Sequence, residues 1–167
     1  SERARDLGRD VAWRHRARLS PADRALLVAA VGPDYPGRSS TRRKLDAIED
    51  GLRLAPDRVE LWYLQADALF HHGRVLGMAG WEAESEGGFR RAVELDSSFA
   101  APAHHLILLH ARRGDLTRLG AAATQRLARE PDGSTADFIR WLAAATGASG
   151  ARDAPPLESM TVEALGW

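Results

Sequence analysis

The chain has 167 residues with 23 basic and 23 acidic side chains, a formal net charge of zero, 44% hydrophobic residues and no cysteine. That length suits one compact domain or a short solenoid, and the balanced charge argues against a nucleic-acid binder driven by bulk electrostatics. The missing cysteines exclude a disulfide framework, a thiolate metal site and a cysteine nucleophile. The longest apolar run, Ala25 to Val31, is far short of the roughly 20 residues that span a bilayer, and no secretory leader pattern is present. With no initiator methionine, the chain is expected to be a fragment of something longer or a processed form. Arginine outnumbers lysine so heavily, with Lys44 the lone lysine, that a GC-rich bacterial source is expected.

Valine, isoleucine and threonine nowhere alternate with polar residues over a strand length, so an all-α chain is expected. Residues 1–19 are charged and helix-compatible, with Leu7, Val11 and Leu19 as a thin apolar stripe. Ser20-Pro21-Ala22-Asp23 is a helix start, with a capping serine, proline at the first helical position and an acid three residues after the cap. The apolar run that follows predicts a buried helix, ended by Gly32-Pro33. A third helix is expected from Ser39–Thr41 to Leu54, with Leu45, Ile48 and Leu52 on one face. Asp57 and Glu60 then read as a capping box for a helix from Arg58 to His72.

Gly73 ends that helix, and residues 74–80 are irregular. The next helix spans Trp81 to Leu95. It contains Gly87-Gly88, a costly pair at about 1 kcal/mol per glycine relative to alanine, for which close packing against a neighbouring backbone is the expected reason. Helices from Ala100 to Arg113, from Asp115 to Arg129 and from Ser134 to Ala145 complete the series. Residues 148–156 read as a linker and residues 157–167 as an apolar tail. The expected division is an N-terminal helical segment over 1–38, repeats over 39–147, and linker and tail over 148–167.

The helices repeat. Trp62, Ala66, Leu69 and Gly73 stand at the same spacings as Ala103, Ile107, His110 and Gly114, and Phe89, Ala92 and Val93 continue the first unit after a seven-residue delay. A helix–turn–helix unit of about 34 residues with these small, large, glycine and proline positions resembles the tetratricopeptide repeat. The resemblance covers roughly residues 39–146. It departs from the family pattern at Gln65-Ala66, at Asp96-Ser97 and in the insertion 74–80. The stretch from Glu60 to Asp96 also resembles repeat regions of bacterial multidomain signalling proteins.

The resemblance implies a short antiparallel α-α superhelix anchored by Trp62, Leu69, Phe89, Leu106 and Leu109. It implies a groove lined by Glu60, Tyr63 and Asp67, then Ala101, His104 and Leu108, then Thr135, Phe138 and Leu142. The occupant expected there is a protein or peptide segment, or the chain's own C-terminal tail. The lysine, arginine and asparagine clamp for a carboxylate terminus is absent from these positions. The function this implies is a protein–protein interaction or scaffolding module, the cytoplasmic regulatory part of a larger bacterial signalling protein. No catalysis, cofactor or membrane partner is expected.

Two other readings come from the residues themselves. Six histidines (His15, His71, His72, His104, His105, His110) raise a metal or enzymatic centre. There is no HExxH, though, and His104 and His110 lie on different sides of one helix, so packing or surface roles are expected. Glu82, Glu84 and Glu86 scatter around a helix and read as a solvated face. No nucleophile elbow or phosphate loop occurs. Arg3, Arg5, Arg9, Arg14, Arg16 and Arg18 offer phosphate contacts, with a charged outer helix the simpler reading.

Overall fold

The computed structural model describes residues 2–148, with side chains from residue 6 onward. The expected tail, 157–167, and all of the expected linker but Ala148 lie outside the described residues. Among these residues every regular element is helical: α1 (Glu2–Arg14), α2 (Pro21–Val31), α3 (Thr41–Leu54), α4 (Val59–His72), α5 (Trp81–Leu95), α6 (Ala100–Arg113), α7 (Leu116–Arg129) and α8 (Ser134–Ala145), with one 3-10 turn at Arg16–Arg18. The fold class is all-α, built from sequence neighbours packed as helix pairs. No helix among these residues is long and apolar enough to cross a membrane.

The chain divides into two compact units between Ser97 and Ser98. In the first, α2 packs on α3, α3 on α4, and α4 on α5. Ala29 of α2 shares a core with Ile48, Ala55 and Leu61, so α2 belongs to the same packed body as α3 and α4. The α2 start forms as its residues dictate: Ser20 Oγ accepts the Asp23 N–H at 3.1 Å and donates to the Asp23 carboxylate at 2.7 Å. Arg58 reaches the same carboxylate from the start of α4. Both the serine hydroxyl and that guanidinium hold the Asp23 carboxyl below its ordinary pKa, the hydroxyl most strongly. Ser40 caps α3 in the same way through the Arg43 N–H.

Three sequence expectations fail in this unit. Only Ala29 of the run Ala25–Val31 is buried, because α2 lies on the outside of α3 and turns one apolar side outward. No Asp57–Glu60 capping box forms. The N-cap of α4 is Arg58, with no side-chain cap, which leaves Asp57 one residue too early in the turn. Trp62 is half-buried: its ring lies at the surface and its indole N–H donates to the Pro56 carbonyl at 2.8 Å. The buried residues of α4 are Leu61, Ala66, Leu69 and Phe70.

The α4–α5 hairpin is the tightest joint. Positions on α4 that contact α5 run backwards as their partners run forwards: Gly73 lies against Trp81, Ala66 against Ser85 and Gly88, and Trp62 against Gly88. The helices are therefore antiparallel. Ser85 is fully buried and its hydroxyl donates to the Ala66 carbonyl at 2.8 Å. A Cβ on Gly88 would stand 3.0 Å from Ala66 Cβ and 3.3 Å from the Trp62 carbonyl oxygen, whereas a Cβ on Gly87 would meet nothing within 4 Å. The costly glycine pair is thus explained at one of its two positions. Phe89, with no exposed surface, closes the joint against the rings of Tyr63 and Phe70 at centroid separations of 6.0 and 6.3 Å.

The second unit contains α6, α7 and α8. Gly114 ends α6 with φ +68°, a left-handed turn that glycine adopts without strain, and the Asp115 N–H returns to the His110 carbonyl at 2.9 Å. Asp115 then caps α7, accepting the Arg118 N–H at 3.1 Å. Ile107, Leu119, Ala123, Ile139, Ala143 and Ala148 form the core of this unit. Ala148, expected to begin a linker, instead belongs to that core, and its N–H donates to the Ala143 carbonyl at 2.9 Å. Of the two leucines expected as anchors on α6, Leu109 is buried and Leu106 is half-buried.

Candidate functional site

The residues expected to line a groove fall in two sets, one in each unit. On α4, Glu60, Tyr63 and Asp67 follow one helix face at spacings of three and four. Glu60 is exposed; Tyr63 and Asp67 are half-buried. The Tyr63 ring leans on Phe89, and burial first, then the nearby Asp67 carboxylate, push its hydroxyl above the ordinary tyrosine pKa. Asp67 also lies 3.4 Å from the His71 imidazole one turn on. This face offers an acidic and aromatic surface, suited to hydrogen-bonding a partner's backbone or pairing a cation.

In the second unit, Ala101, His104 and Leu108 on α6 and Thr135 and Leu142 on α8 are half-buried, and Phe138 on α8 is buried. Here the structure brings expected residues together, with the His104 and Phe138 rings 5.9 Å apart and Phe138 stacked on Trp141 at 6.4 Å. Leu142 packs on the unit's core. Phe138 is therefore spent mainly on intrachain packing, and Trp141, which the spacing argument passed over, is the half-exposed aromatic beside it.

The histidines differ in environment. His15, His71 and His72 are exposed, and His110 is buried. His71 and His72 occupy the last turn of α4, where the helix dipole favours a cation. His105 Nδ1 lies 3.0 Å from the Ala101 carbonyl oxygen. His104 Nδ1 is buried with no hydrogen-bond partner. Burial first, then His105 and the Arg126 guanidinium, lower its pKa below the ordinary value.

That shift has a definite sign. The unfolded chain takes up a proton on His104 near pH 6.5, while the folded chain resists it to lower pH. Stability supplied by the neutral, packed imidazole is full above about pH 6.5 and falls as pH drops through that value toward the folded pKa. Urea denaturation at pH 7.5 and pH 5.5 is expected to show this loss in the native chain and a smaller loss in His104→Gln. Equal losses in the two proteins would remove His104 as the cause.

The acids of α5 are not a uniformly solvated face. Glu84 is exposed and Glu82 half-buried, but Glu86 is only 8% exposed. Side chains two residues apart are turned about 200° around a helix, so one of three such acids falls toward the packed side. At the N-terminus, Arg9 pairs with Asp6 at 3.3 Å, and Arg16 lies 4.5 Å over the Trp13 ring and donates to the Trp13 carbonyl. Trp13 in turn meets Tyr35 edge-on at 5.4 Å, and the Tyr35 hydroxyl donates to Asp10. The aromatic and acidic residues of α1 thus fasten it to the loop after α2.

One surface was missed altogether. Between α2 and α3 an open groove of ≈ 530 Å³ is floored by Ala25, Val28 and Ala47 and edged by Arg24, Asp46 and Asp50. Its signal was present in the helix patterns: the stripe Asp46, Ala47, Asp50, Leu54 lies opposite the buried stripe Leu45, Ile48, and Leu54 is 54% exposed.

No protein-family model matches the chain, and no curated protein matches it.

Proposed function

We propose that the chain is a protein–protein interaction or scaffolding module of tetratricopeptide type, without catalysis of its own. In this reading it serves as the regulatory repeat region of a larger bacterial signalling protein in the cytoplasm. The observation that supports it most is the α4–α5 hairpin. Ala66, Ser85 and Gly88 lie where the helices approach most closely, and Leu69 and Phe89 fill the space around them, as the repeat resemblance requires of its small and large positions. Helices held this rigidly can present side chains from one face without rearranging, which lowers the ordering cost of binding. The ligand expected is a peptide or helix that uses Tyr63 and Asp67 on α4, or His104, Leu108 and Leu142 in the second unit. The chain's own residues 157–167 are the competing occupant.

Affinity capture from lysate tests this, with the full chain and with a chain ending at residue 148, so that the core residue Ala148 is kept. A defined protein is expected at stoichiometric yield, with more of it bound by the shortened chain if the tail competes. Replacing both Tyr63 and Asp67 with alanine is expected to weaken capture about tenfold or more, as loss of a buried aromatic anchor does. Identical capture by that variant moves the binding surface off α4. No capture by either form, at concentrations where the chain is folded, overturns the reading.

A further inference from the structure

We infer that Asp67 and His71 on α4 form a surface site for a divalent transition-metal ion of the zinc class. The two residues stand four apart on the helix, a spacing that sets side chains one above the other on a single face. Asp67 Oδ1 is 3.4 Å from His71 Nε2. A direct charge-assisted hydrogen bond between these groups closes to about 2.7–2.9 Å, so the pair stands wider than such a bond. Two ligands held at about 2.0–2.1 Å by one tetrahedral ion stand about 3.3–3.4 Å apart. The gap between Asp67 and His71 has the length of that tetrahedral edge.

Both side chains are held in place before an ion arrives. Asp67 is half-buried, and the His71 ring meets the buried Phe70 ring edge-on, with centroids 5.0 Å apart and planes at 87°. His71 itself is exposed, so an ion reaches it from solvent. One imidazole nitrogen with one carboxylate oxygen suits zinc and its neighbours, whereas calcium and magnesium take oxygen ligands. A pair supplies fewer ligands than the three or four of a dedicated zinc site, so micromolar rather than nanomolar binding is expected. His72 is the built-in control. It is also exposed in the last turn of α4, but it is turned about 100° around the helix from His71. Asp67 belongs as well to the face proposed for a peptide. The ion needs no peptide to bind, and a chain that takes no zinc leaves that reading intact.

Isothermal titration of zinc chloride into the full chain, untagged and stripped with EDTA, is the test. One ion per chain is expected at a Kd of roughly 1–100 µM. Asp67→Asn and His71→Gln are each expected to weaken binding about tenfold or more, since changes even outside a ligand set cost that much. Asp67→Asn keeps the shape of the side chain and His71 is exposed, so the circular dichroism of both variants is expected to match the native chain. His72→Gln is expected to bind zinc as the native chain does. Calcium or magnesium chloride at the same concentrations is expected to give no binding heat. A chain that takes no zinc up to about 1 mM overturns the proposal. So does an affinity that Asp67→Asn and His71→Gln both leave unchanged, which would place the ion on other histidines. A loss in His71→Gln with none in Asp67→Asn overturns the paired site, and a matching loss in His72→Gln would move it to the two adjacent histidines.

Discussion

Phe89→Ala is expected to lose about 3–5 kcal/mol of stability, the usual cost of removing a large buried aromatic. The ring has no exposed surface and lies between Tyr63 and Phe70, both on α4, so its removal empties the joint between α4 and α5. The neighbours are poorly placed to close the gap. Ser85 and Gly88 already hold the helices at their nearest approach, and Leu69 is 2% exposed and itself packed. Two rings at 6.0 and 6.3 Å also lose their edge and tilted contacts, worth about 0.5–1.5 kcal/mol per pair. Urea denaturation followed by circular dichroism measures the loss. Phe89→Leu, which keeps most of the volume, is expected to cost about 1 kcal/mol. A Phe89→Ala loss below about 1 kcal/mol would mean that α4 and α5 slide together around the vacancy.

Substituting the two adjacent glycines of α5 is expected to change stability in opposite directions. Gly87→Ala adds a methyl group to open space on an exposed helical position, and is expected to stabilise by about 1 kcal/mol through helix propensity and a less flexible unfolded chain. Gly88→Ala gains the same backbone term. It also drives a Cβ to 3.0 Å from Ala66 Cβ and 3.3 Å from a main-chain oxygen, neither of which can swing aside. Gly88→Leu is expected to cost about 3 kcal/mol, at the upper end for overpacking, because the whole side chain must push α4 away. Thermal melts of the three variants beside the native chain settle the matter. A stabilised Gly88→Leu would mean that α4 and α5 can separate freely, and would withdraw the close-packed hairpin on which the proposed function leans.

Helix boundaries were legible because local chemistry decides them. Ser20, Ser40 and Asp115 cap the helices their positions announce, and α5 and α6 begin and end at the expected residues. What could not be read is what depends on which side of a helix meets a neighbour. The run Ala25–Val31 has no polar side, so nothing in it tells that α2 turns Ala29 and Leu26 to the core and fully buries Ala29 alone. Trp62 matches a repeat position by spacing, yet its depth depends on how far α4 is turned relative to α5. Asp57 has the right chemistry for a cap but sits one residue outside the helical turn. Of the expected groove, the half-buried faces of Tyr63, Asp67 and His104 were legible from periodicity. The burial of Phe138 and the outward face of α2 and α3 needed the packing itself.

The connection between α4 and α5 takes residues 73–80, yet it does not hold apart the helices it joins. Gly73 lies directly under Trp81, so the two helices are already joined at the base, and residues 74–80 leave and return through that point. Val75, at the tip, is 85% exposed, and the main-chain bond from Met78 N–H to the Gly73 carbonyl, at 3.0 Å, pinches the neck. A loop pinched in this way decouples its length from what it connects. Doubling its length costs only about 0.6 kcal/mol of closure entropy. The neck makes the exposed step Arg74–Val75 the place where an epitope, a fluorophore or a guest domain with adjacent termini is expected to be spliced in at least cost to the packing beneath.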